Sequence, residues 1–281
     1  MRKLVLQSDF GLCDGAVSAM KGIAYGVNGD LVISDVTHDI TPFNVWEASY
    51  RLFQVFDFWP EGTVFVSVVD PGVGSDRKSV VAKLVDDKYV VSPDNGTLTH
   101  LYLHNQILEL REIDEAVNRL KGSEGSHTFH GRDVYSYTGA RLACGAINYG
   151  GVGKELPLDS IIRIEKNKVQ FENNLLTGTI EVLDKRFGHL WSDISVKNLE
   201  SLNVVYGEKI NVIISHDKKV FFNDLVPFCR SFSNVEPGDR LAYVNSMMSL
   251  AVAIHQDSFS RTYNIEAGSD WKIEISRTRG E

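Results

Sequence analysis

The chain has 281 residues, which allows one large domain or two modest ones and a substantial buried core. Hydrophobic residues make up 43% and charged residues 23%, a composition typical of a globular protein and not of a disordered or fibrous one. The formal net charge of −8 argues against a general nucleic-acid-binding protein, which needs a basic face to neutralise phosphates.

The first half of the chain alternates strand-like and helix-like segments. Short apolar runs rich in β-branched residues predict strands at residues 3–8, 31–36, 63–69, 79–85 and 88–92. A helix is expected after Asp14, and a second helix after the capping-box pattern Asn44…Glu47. A third helix is predicted over 133–149, capped by Asp133 and ended by Gly150 and Gly151. Such alternation indicates an α/β layer with a largely parallel sheet.

The second half changes to strand-like alternation. Strands are predicted at 177–183, 209–215, 218–223, 241–245 and 271–276. In the last of these, Trp271, Ile273 and Ile275 share one face. Several short strands separated by turns favour a small β-barrel or sandwich. The charged, Asn-rich segment 159–174 marks the boundary, so we predict an N-terminal α/β domain over 1–165 and a C-terminal β domain over 166–281.

The cysteine pattern and the apolar runs bear on location. Cys13, Cys144 and Cys229 are odd in number, widely spaced and without a CxxC pair, which favours neither a disulfide framework nor a cysteine-built zinc site. The apolar run before Asp9 is too short for a signal peptide, and no stretch approaches the ~20 apolar residues of a membrane span. We expect a cytoplasmic protein that neither enters a membrane nor binds nucleic acid.

Polar residues follow several of the predicted strands at the point where each strand ends. They are Asp9, then Asp35, His38 and Asp39, then Asp70 with Arg77, then Asp94 and Asn95, and finally the segment 128–133 before the third helix. Each alone is explained by a cap or a turn. Because ligands collect at the carboxyl ends of strands in an open α/β sheet, the set predicts one rim of Asp, Arg and His side chains.

A metal site is an alternative interpretation of the same residues. His127 and His130 with nearby aspartates, Asp9, Asp70 and Asp133 among them, and with His38, are ligand types that suit zinc, manganese or iron. The HxxH spacing on a loop lacks the helical HExxH geometry and is a weak pattern. The sequence has neither a GxSxG elbow nor a GxxxxGK loop, so nothing supports a serine hydrolase or a P-loop protein.

Taken in order, the motifs resemble one known family. They are residues 8–11 with Asp14, residues 35–42, residues 69–74 with Arg77, residues 93–96 and residues 128–133. They resemble the S-adenosyl-L-methionine (SAM) hydroxide adenosyltransferases, the adenosine-forming SAM hydrolases related to the fluorinase and chlorinase. Residues 183–188 and the pair Asn245–Ser246 extend the resemblance to nearly the whole chain.

The resemblance implies an α/β N-terminal domain with a small C-terminal β-barrel. It further implies an enzyme that hydrolyses SAM to adenosine and methionine, with SAM as the substrate and neither a cofactor nor a metal. It also implies a homotrimer, with SAM held between the N-terminal domain of one subunit and the C-terminal domain of the next.

By resemblance, the catalytic residues are Asp70, Arg77 and His130. The fluorinase replaces the first and last of these and carries a long insertion near the strand pair at 79–92, where this chain has only the turn Asp86–Asp87. Both features favour water over halide. Since Arg77 cannot act as a base, its charge would lower the pKa of a bound water, with His130 accepting or orienting the proton and Asp70 completing the network.

The resemblance also assigns substrate contacts. Asp9 matches the group that binds the ribose hydroxyls, Asp14 and Asp184 lie near the methionine end, Phe43 lies against the ribose and base, and Phe187 lies in the adenine pocket. His189 stands where the family commonly has Asn, and Met247 and Met248 follow Asn245–Ser246 where the family has Gly-containing sequence. The full set of predicted substrate-binding residues is Asp9, Asp14, Phe43, Asn95, Phe129, Asp184, Phe187, His189, Asn245 and Ser246.

Three other functions remain open at this point. The first is a protein that binds SAM or adenosine without turnover, the second a metal-dependent hydrolase, and the third a halogenase, which the pair Asp70 and His130 disfavours.

Overall fold

The computed structural model describes residues 3–277, which form two compact units divided between Ile164 and Glu165. The first unit contains a seven-stranded mixed sheet and the second an eight-stranded antiparallel sheet. This architecture confirms the predicted fold class, an α/β domain followed by a small barrel-like β domain. Within residues 3–277, no helix is both long and apolar enough to cross a membrane.

The sheet of the first unit has a parallel half and an antiparallel half. Its strands are β1 (Lys3–Ser8), β2 (Val32–Thr37), β3 (Val64–Val68), β4 (Ser79–Leu84), β5 (Tyr89–Pro93), β6 (Ile107–Glu112) and β7 (Glu155–Leu156). They lie in the order β2-β1-β3-β5-β4-β6-β7. The pairs β1–β2, β1–β3 and β3–β5 are parallel, and the remaining pairs are antiparallel. The carboxyl ends of β2, β1, β3 and β5 therefore meet at one edge.

Helices cover both faces of this sheet. They are α1 (Ala16–Val27), α2 (Val45–Phe56), α3 (Thr99–Leu103), α4 (Glu115–Asn118) and α5 (Tyr137–Cys144). Leu4 and Leu6 of β1 belong to the core formed with α1 and α5, whereas Val5 belongs to the core formed with α2 and α3. Successive strand residues point to opposite faces, so a strand buried on both faces reads as a continuous apolar run.

The prediction of a helix over 133–149 was wrong at both ends. A π-helical turn over Gly131–Ser136 precedes α5, and Asp133 is a fully buried member of that turn instead of an N-cap. Its carboxylate accepts a hydrogen bond from Arg132 Nε at 2.7 Å. The helix ends at Gly145, whose φ of 78° is the left-handed conformation that terminates helices. Gly150 and Gly151 lie in a later 3₁₀ turn, Tyr149–Val152.

The second unit is an almost closed antiparallel barrel. Its strands are β8 (Gln170–Glu172), β9 (Leu175–Asp184), β10 (His189–Ser195), β11 (Lys209–His216), β12 (Lys219–Pro227), β13 (Arg240–Val244), β14 (Ser249–Ile254) and β15 (Lys272–Arg277), with helices α6 (Val196–Glu200) and α7 (Phe259–Tyr263). The order is β12-β11-β15-β9-β10-β14-β13, with β8 paired to β9. A bridge between Phe228 and Ala242 brings the end of β12 to β13. Trp271, Ile273 and Ile275 are buried in the core, as the alternation predicted.

Gly139 on α5 gives a direct test of helix-to-sheet packing in the first unit. A β-carbon at this position would lie 2.5 Å from Val66 Cγ2 on β3. We expect Gly139→Ala to destabilise the fold by about 1–3 kcal/mol through overpacking, measured as a lower Tm in thermal unfolding. Adding Val66→Ala should recover part of the loss. Gly22→Ala on α1 is the matched control, since nothing lies within 4 Å of its β-carbon; it should stabilise the protein by about 0.5–1 kcal/mol. Equal Tm changes for the two Gly→Ala variants would contradict this packing.

Candidate active site

A cavity of about 280 Å³ opens in the first unit at the carboxyl edge of the parallel strands. The loops after β1, β2 and β3 and the segment before the π-helical turn supply its walls. Predicted site residues among its lining are Asp9, Phe43, Asp70, Phe129 and His130. Residues from four separate segments of the sequence are thus brought to one place, where an open α/β sheet is expected to bind ligands.

Asp70 and Arg77 form a bidentate ion pair at this edge of the sheet. Arg77 Nε donates to Asp70 Oδ1 at 2.8 Å, and Arg77 Nη2 donates to Asp70 Oδ2 at 2.5 Å. Both side chains are nearly buried. The turn between them, with Gly74 at φ 81°, folds the chain back so that the guanidinium faces the carboxylate. Two parallel hydrogen bonds fix the orientation as well as the position of Arg77.

His130 extends this pair into a network. Its Nδ1 lies 2.9 Å from Arg77 Nη2, and its Nε2 lies 3.0 Å from Arg119 Nη2. Burial lowers the pKa of His130, and the positive charges of Arg77 and Arg119 lower it further. The surroundings of the imidazole therefore disfavour its protonation.

Tyr135 contacts the network through Asp70. Its hydroxyl lies 3.4 Å from Asp70 Oδ2 and 3.3 Å from Ser79 Oγ, and burial raises the pKa of this phenol above its usual range. A neutral phenol can donate a hydrogen bond to the carboxylate without adding charge. Asp70 thus holds Arg77 while its own position is fixed from a second side.

Asp9 and Phe43 are brought into direct contact. The Phe43 N–H donates to Asp9 Oδ2 at 2.8 Å, and Phe43 adopts a φ of 67° with 72% of its surface exposed. An exposed, bulky residue held in the left-handed region is strained, and such strain tends to occur at functional sites. Asp14 instead accepts a hydrogen bond from Ala16 N at the start of α1, beside this loop in the sequence.

Phe129 and Asn95 have different surroundings. Phe129 lines the cavity and packs edge-on against Phe10 at a ring separation of 5.8 Å. Asn95 uses its amide within the fold: Nδ2 donates to Val69 O at 2.9 Å, and Oδ1 accepts from Thr97. Asn95 therefore connects its own turn to the end of β3, which is the structural role that a turn motif alone predicts.

The second unit has an aromatic pocket of about 550 Å³. Phe187, His189 and Phe232 lie along it as a stack, with ring separations of 5.7 Å and 5.0 Å. His189 Nδ1 lies 3.2 Å from the Tyr243 hydroxyl, and burial lowers the pKa of His189. A flat, neutral aromatic surface of this kind suits the face of a heteroaromatic ring.

The other predicted residues of this unit do not line that pocket, although Asp184 pairs with His189 across the β9–β10 hairpin. Asp184 Oδ1 accepts hydrogen bonds from Arg186 N and Phe187 N, so it shapes the turn that presents Phe187. Asn245 and Ser246 occupy the β13–β14 turn, whose Met248 carbonyl accepts from Val196 N at the far end of β10. Neither residue lines the aromatic pocket, although Tyr243, two residues before Asn245, contacts His189.

The residues of the metal alternative do not assemble. Within residues 3–277, no three His, Cys, Asp or Glu side chains are grouped to hold a metal ion. Both ring nitrogens of His130 face guanidinium groups. His38 lies between Ser8 Oγ, at 2.7 Å, and Asp35 Oδ1, at 3.1 Å.

Sequence reasoning missed Arg119, Glu115, Tyr135 and Phe232. Arg119 reaches His130 only because Leu120 N donates to Asp133 O at 2.8 Å, which holds the end of α4 against the π-helical turn. The Glu115–Arg119 spacing of four residues is the one local signal, and it is common on solvated helices.

Comparisons with known proteins agree with this geometry. Sequence profiles of the SAM hydroxide adenosyltransferase N-terminal and C-terminal domains match residues 4–153 and 178–272. The (R)-S-adenosyl-L-methionine hydrolase of Methanocaldococcus jannaschii is 32% identical over 94% of this chain and 92% of its own length. A fluorinase of Nocardia brasiliensis is 27% identical over 97% of this chain and 96% of its own. The crystal structure of an uncharacterised conserved protein from Thermotoga maritima superimposes with a TM-score of 0.88 at 30% identity, covering 98% of this chain and all of that one.

The chain thus belongs to the SAM hydroxide adenosyltransferase family. The resemblance identified from the motifs is confirmed.

The strain at Phe43 can be measured directly. We expect Phe43→Gly to be more stable than Phe43→Ala by about 1 kcal/mol, because only glycine adopts positive φ without a steric penalty. The comparison by thermal unfolding cancels the loss of the aromatic ring, which both variants share. Equal stability of the two variants would show that Phe43 is not strained.

Proposed function

We propose that this protein hydrolyses SAM to adenosine and L-methionine. Its family membership supports this activity, together with one observation: Asp70, Arg77 and His130 form a continuous hydrogen-bonded network that borders the cavity of the first unit. The relative in M. jannaschii is named as a hydrolase of (R)-S-adenosyl-L-methionine. We also propose that the reaction uses neither metal nor cofactor, and that SAM is its only organic substrate.

The reaction needs little acid–base chemistry at the leaving group. Water oxygen forms a bond to ribose C5′, the C5′–S bond breaks, and its electron pair goes to sulfur, so that methionine leaves as a neutral thioether. The attacking water loses one proton. What the protein must supply is a water held in line with C5′ and a local charge that favours its deprotonated form.

Arg77 provides that charge, and His130 provides a site for the proton. Arg77 cannot accept a proton, but a bound water beside its guanidinium loses a proton more readily. The neutral imidazole of His130 can accept or relay it. Asp70 keeps Arg77 oriented through the bidentate pair, and Asp9 and Phe43 are placed to contact the ribose and base.

The three cysteines support a cytoplasmic setting for this reaction. Cys13, Cys144 and Cys229 are all free thiols, a state that a reducing compartment maintains.

The first test is incubation of the purified protein with SAM, followed by chromatography of the nucleosides. Adenosine should form equally with and without EDTA and with and without chloride or fluoride. Because the sulfonium sulfur is a stereocentre, both epimers are assayed. Asp70→Ala, Arg77→Lys and His130→Ala should each lower kcat by about 100-fold or more, since each removes part of the charge or proton network.

Lys83→Gln is the control, because Lys83 pairs with Glu109 on neighbouring antiparallel strands. Loss of activity in EDTA would support the metal-dependent hydrolase, and a halogenated nucleoside would support the halogenase. Bound SAM without any product would support the binding protein.

We propose further that the protein is a homotrimer whose SAM sites are shared between subunits. The cavity of the first unit, at about 280 Å³, lies below the roughly 300–1,000 Å³ typical of ligand pockets, and the aromatic pocket belongs to the other unit. Leu12 and Phe43, in loops beside the cavity, are 70% and 72% exposed. Apolar exposure of this kind is typical of an interaction surface.

Subunit complementation tests this sharing. Asp70→Ala disables the first unit and Phe187→Ala the second, and differently tagged chains are co-expressed and purified as mixed assemblies. If one site combines two subunits, a mixed trimer contains one intact site and shows roughly a third of the wild-type activity. If each site lies within one chain, mixed assemblies stay inactive. Light scattering of the wild-type protein checks the trimer itself.

A further inference from the structure

His130 lies between two guanidinium groups. Arg77 Nη2 is 2.9 Å from Nδ1 and Arg119 Nη2 is 3.0 Å from Nε2. Guanidinium nitrogens only donate, whereas a neutral imidazole offers one lone pair and an imidazolium offers none. The two arginines therefore compete for a single acceptor, and protonation of the ring would leave both of them facing an N–H.

The two arginines are not equally free to move. Arg77 is fixed by two hydrogen bonds to the nearly buried Asp70. Arg119 is held by Glu115, whose Oε2 accepts from Arg119 Nε at 3.1 Å and whose side chain is 36% exposed. Its other contacts, to Ser126 O and His127 Nδ1, are longer, at 3.4 Å. The Arg119 guanidinium is thus the less tightly held of the two that contact His130.

The segment that carries Arg119 is nevertheless well anchored. Asn118 is fully buried, and its amide donates to Val152 O at 2.9 Å. Leu120 N donates to Asp133 O at 2.8 Å. With the backbone fixed on both sides, only the Arg119 side chain and its contact with Glu115 decide how closely the guanidinium approaches His130.

We propose that Arg119, held by Glu115, is a positioning residue of the hydrolase that keeps His130 neutral and fixes its orientation towards Arg77. This inference rests on the proposed function. It adds the ion pair Glu115–Arg119 to the Asp70–Arg77–His130 network. Arg119 contacts Nε2 of His130, the ring nitrogen that Arg77 does not contact.

The charged and titratable groups that face His130 determine the sign of the effect. Arg77 and Arg119 lower the pKa of His130, while Glu115 and Asp70 raise it. The rings of His127 and Tyr135 lie 6.3 Å and 6.4 Å away. Activity that needs a neutral His130 is present above the pKa of this group and is lost as pH falls through it. Since burial and the arginines lower this pKa from 6.5, the acid limb of the wild-type kcat/KM profile, which reports the free enzyme, should lie below pH 6.5.

Opposite shifts in two variants of one ion pair are the critical test. Arg119→Gln removes a positive charge and supplies an amide oxygen that can accept from Nε2–H, so the acid limb should move up by about one pH unit. Glu115→Gln removes a negative charge, so the acid limb should move to lower pH. This shift should be smaller than that of Arg119→Gln, because Glu115 is partly exposed. Arg119→Lys keeps the charge and should restore the wild-type limb at a reduced kcat.

The controls are Arg111→Gln and Glu155→Gln. Arg111 pairs with Glu155 at 3.3 Å and donates to Gly153 O, and neither variant should move the limb. If Arg119→Gln and Glu115→Gln shift the limb in the same direction, or only scale the whole profile down, the pair is structural and the proposal fails.

A second measurement separates this inference from the proposed function. Titration of ¹⁵N-labelled histidine side chains by NMR, with His130→Asn to assign the signal, reads the pKa of His130 without turnover. The same opposite shifts are expected in the two variants. If SAM is not hydrolysed but these shifts appear, the positioning role stands and the reaction is wrong; if SAM is hydrolysed and the shifts are absent, only the positioning role is overturned.

Discussion

The bidentate ion pair between Asp70 and Arg77 organises the candidate site. Asp70 follows the end of the buried strand β3 by two residues, so its position is set by the sheet, and the pair in turn fixes the direction of Arg77. Arg77 then sets one side of His130. A nearly buried guanidinium without its carboxylate would carry an uncompensated charge, which is why the other groups of the network depend on this contact.

The π-helical turn at Gly131–Ser136 serves the same network. It places His130 immediately before a segment in which Asp133 and Tyr135 point inward and are buried. Such irregular turns occur often at functional sites, because they re-aim side chains that a regular helix would direct elsewhere. Gly131 permits this close approach, since a β-carbon there would lie 3.2 Å from Phe10 and Val68.

The two units differ in character. The first unit has charged and ionisable side chains at the end of a parallel sheet, and the second has a stacked aromatic pocket on a barrel. Asp184 illustrates how a binding motif can act through the fold, because its carboxylate shapes the turn that exposes Phe187. Asn95 likewise acts within the fold, because its side-chain amide donates to Val69 O just after β3.

The sequence pattern alone predicted the strands β1, β3 and β15. A continuous apolar run indicates a strand buried on both faces, and strict alternation indicates a strand buried on one face. Ordered motifs were enough for the family, and they singled out Asp70, Arg77 and His130, which the structure joins by hydrogen bonds. The end of α5 at Gly145 was missed because the apolar period continued past that glycine. Strands β10 and β14 were also missed, although each forms a hairpin with the strand that precedes it, β9 and β13. The contact of Arg119 with His130 and the lowered pKa of His130 were decided only by tertiary structure, since a charge network depends on distances and burial between segments that the sequence does not order in space.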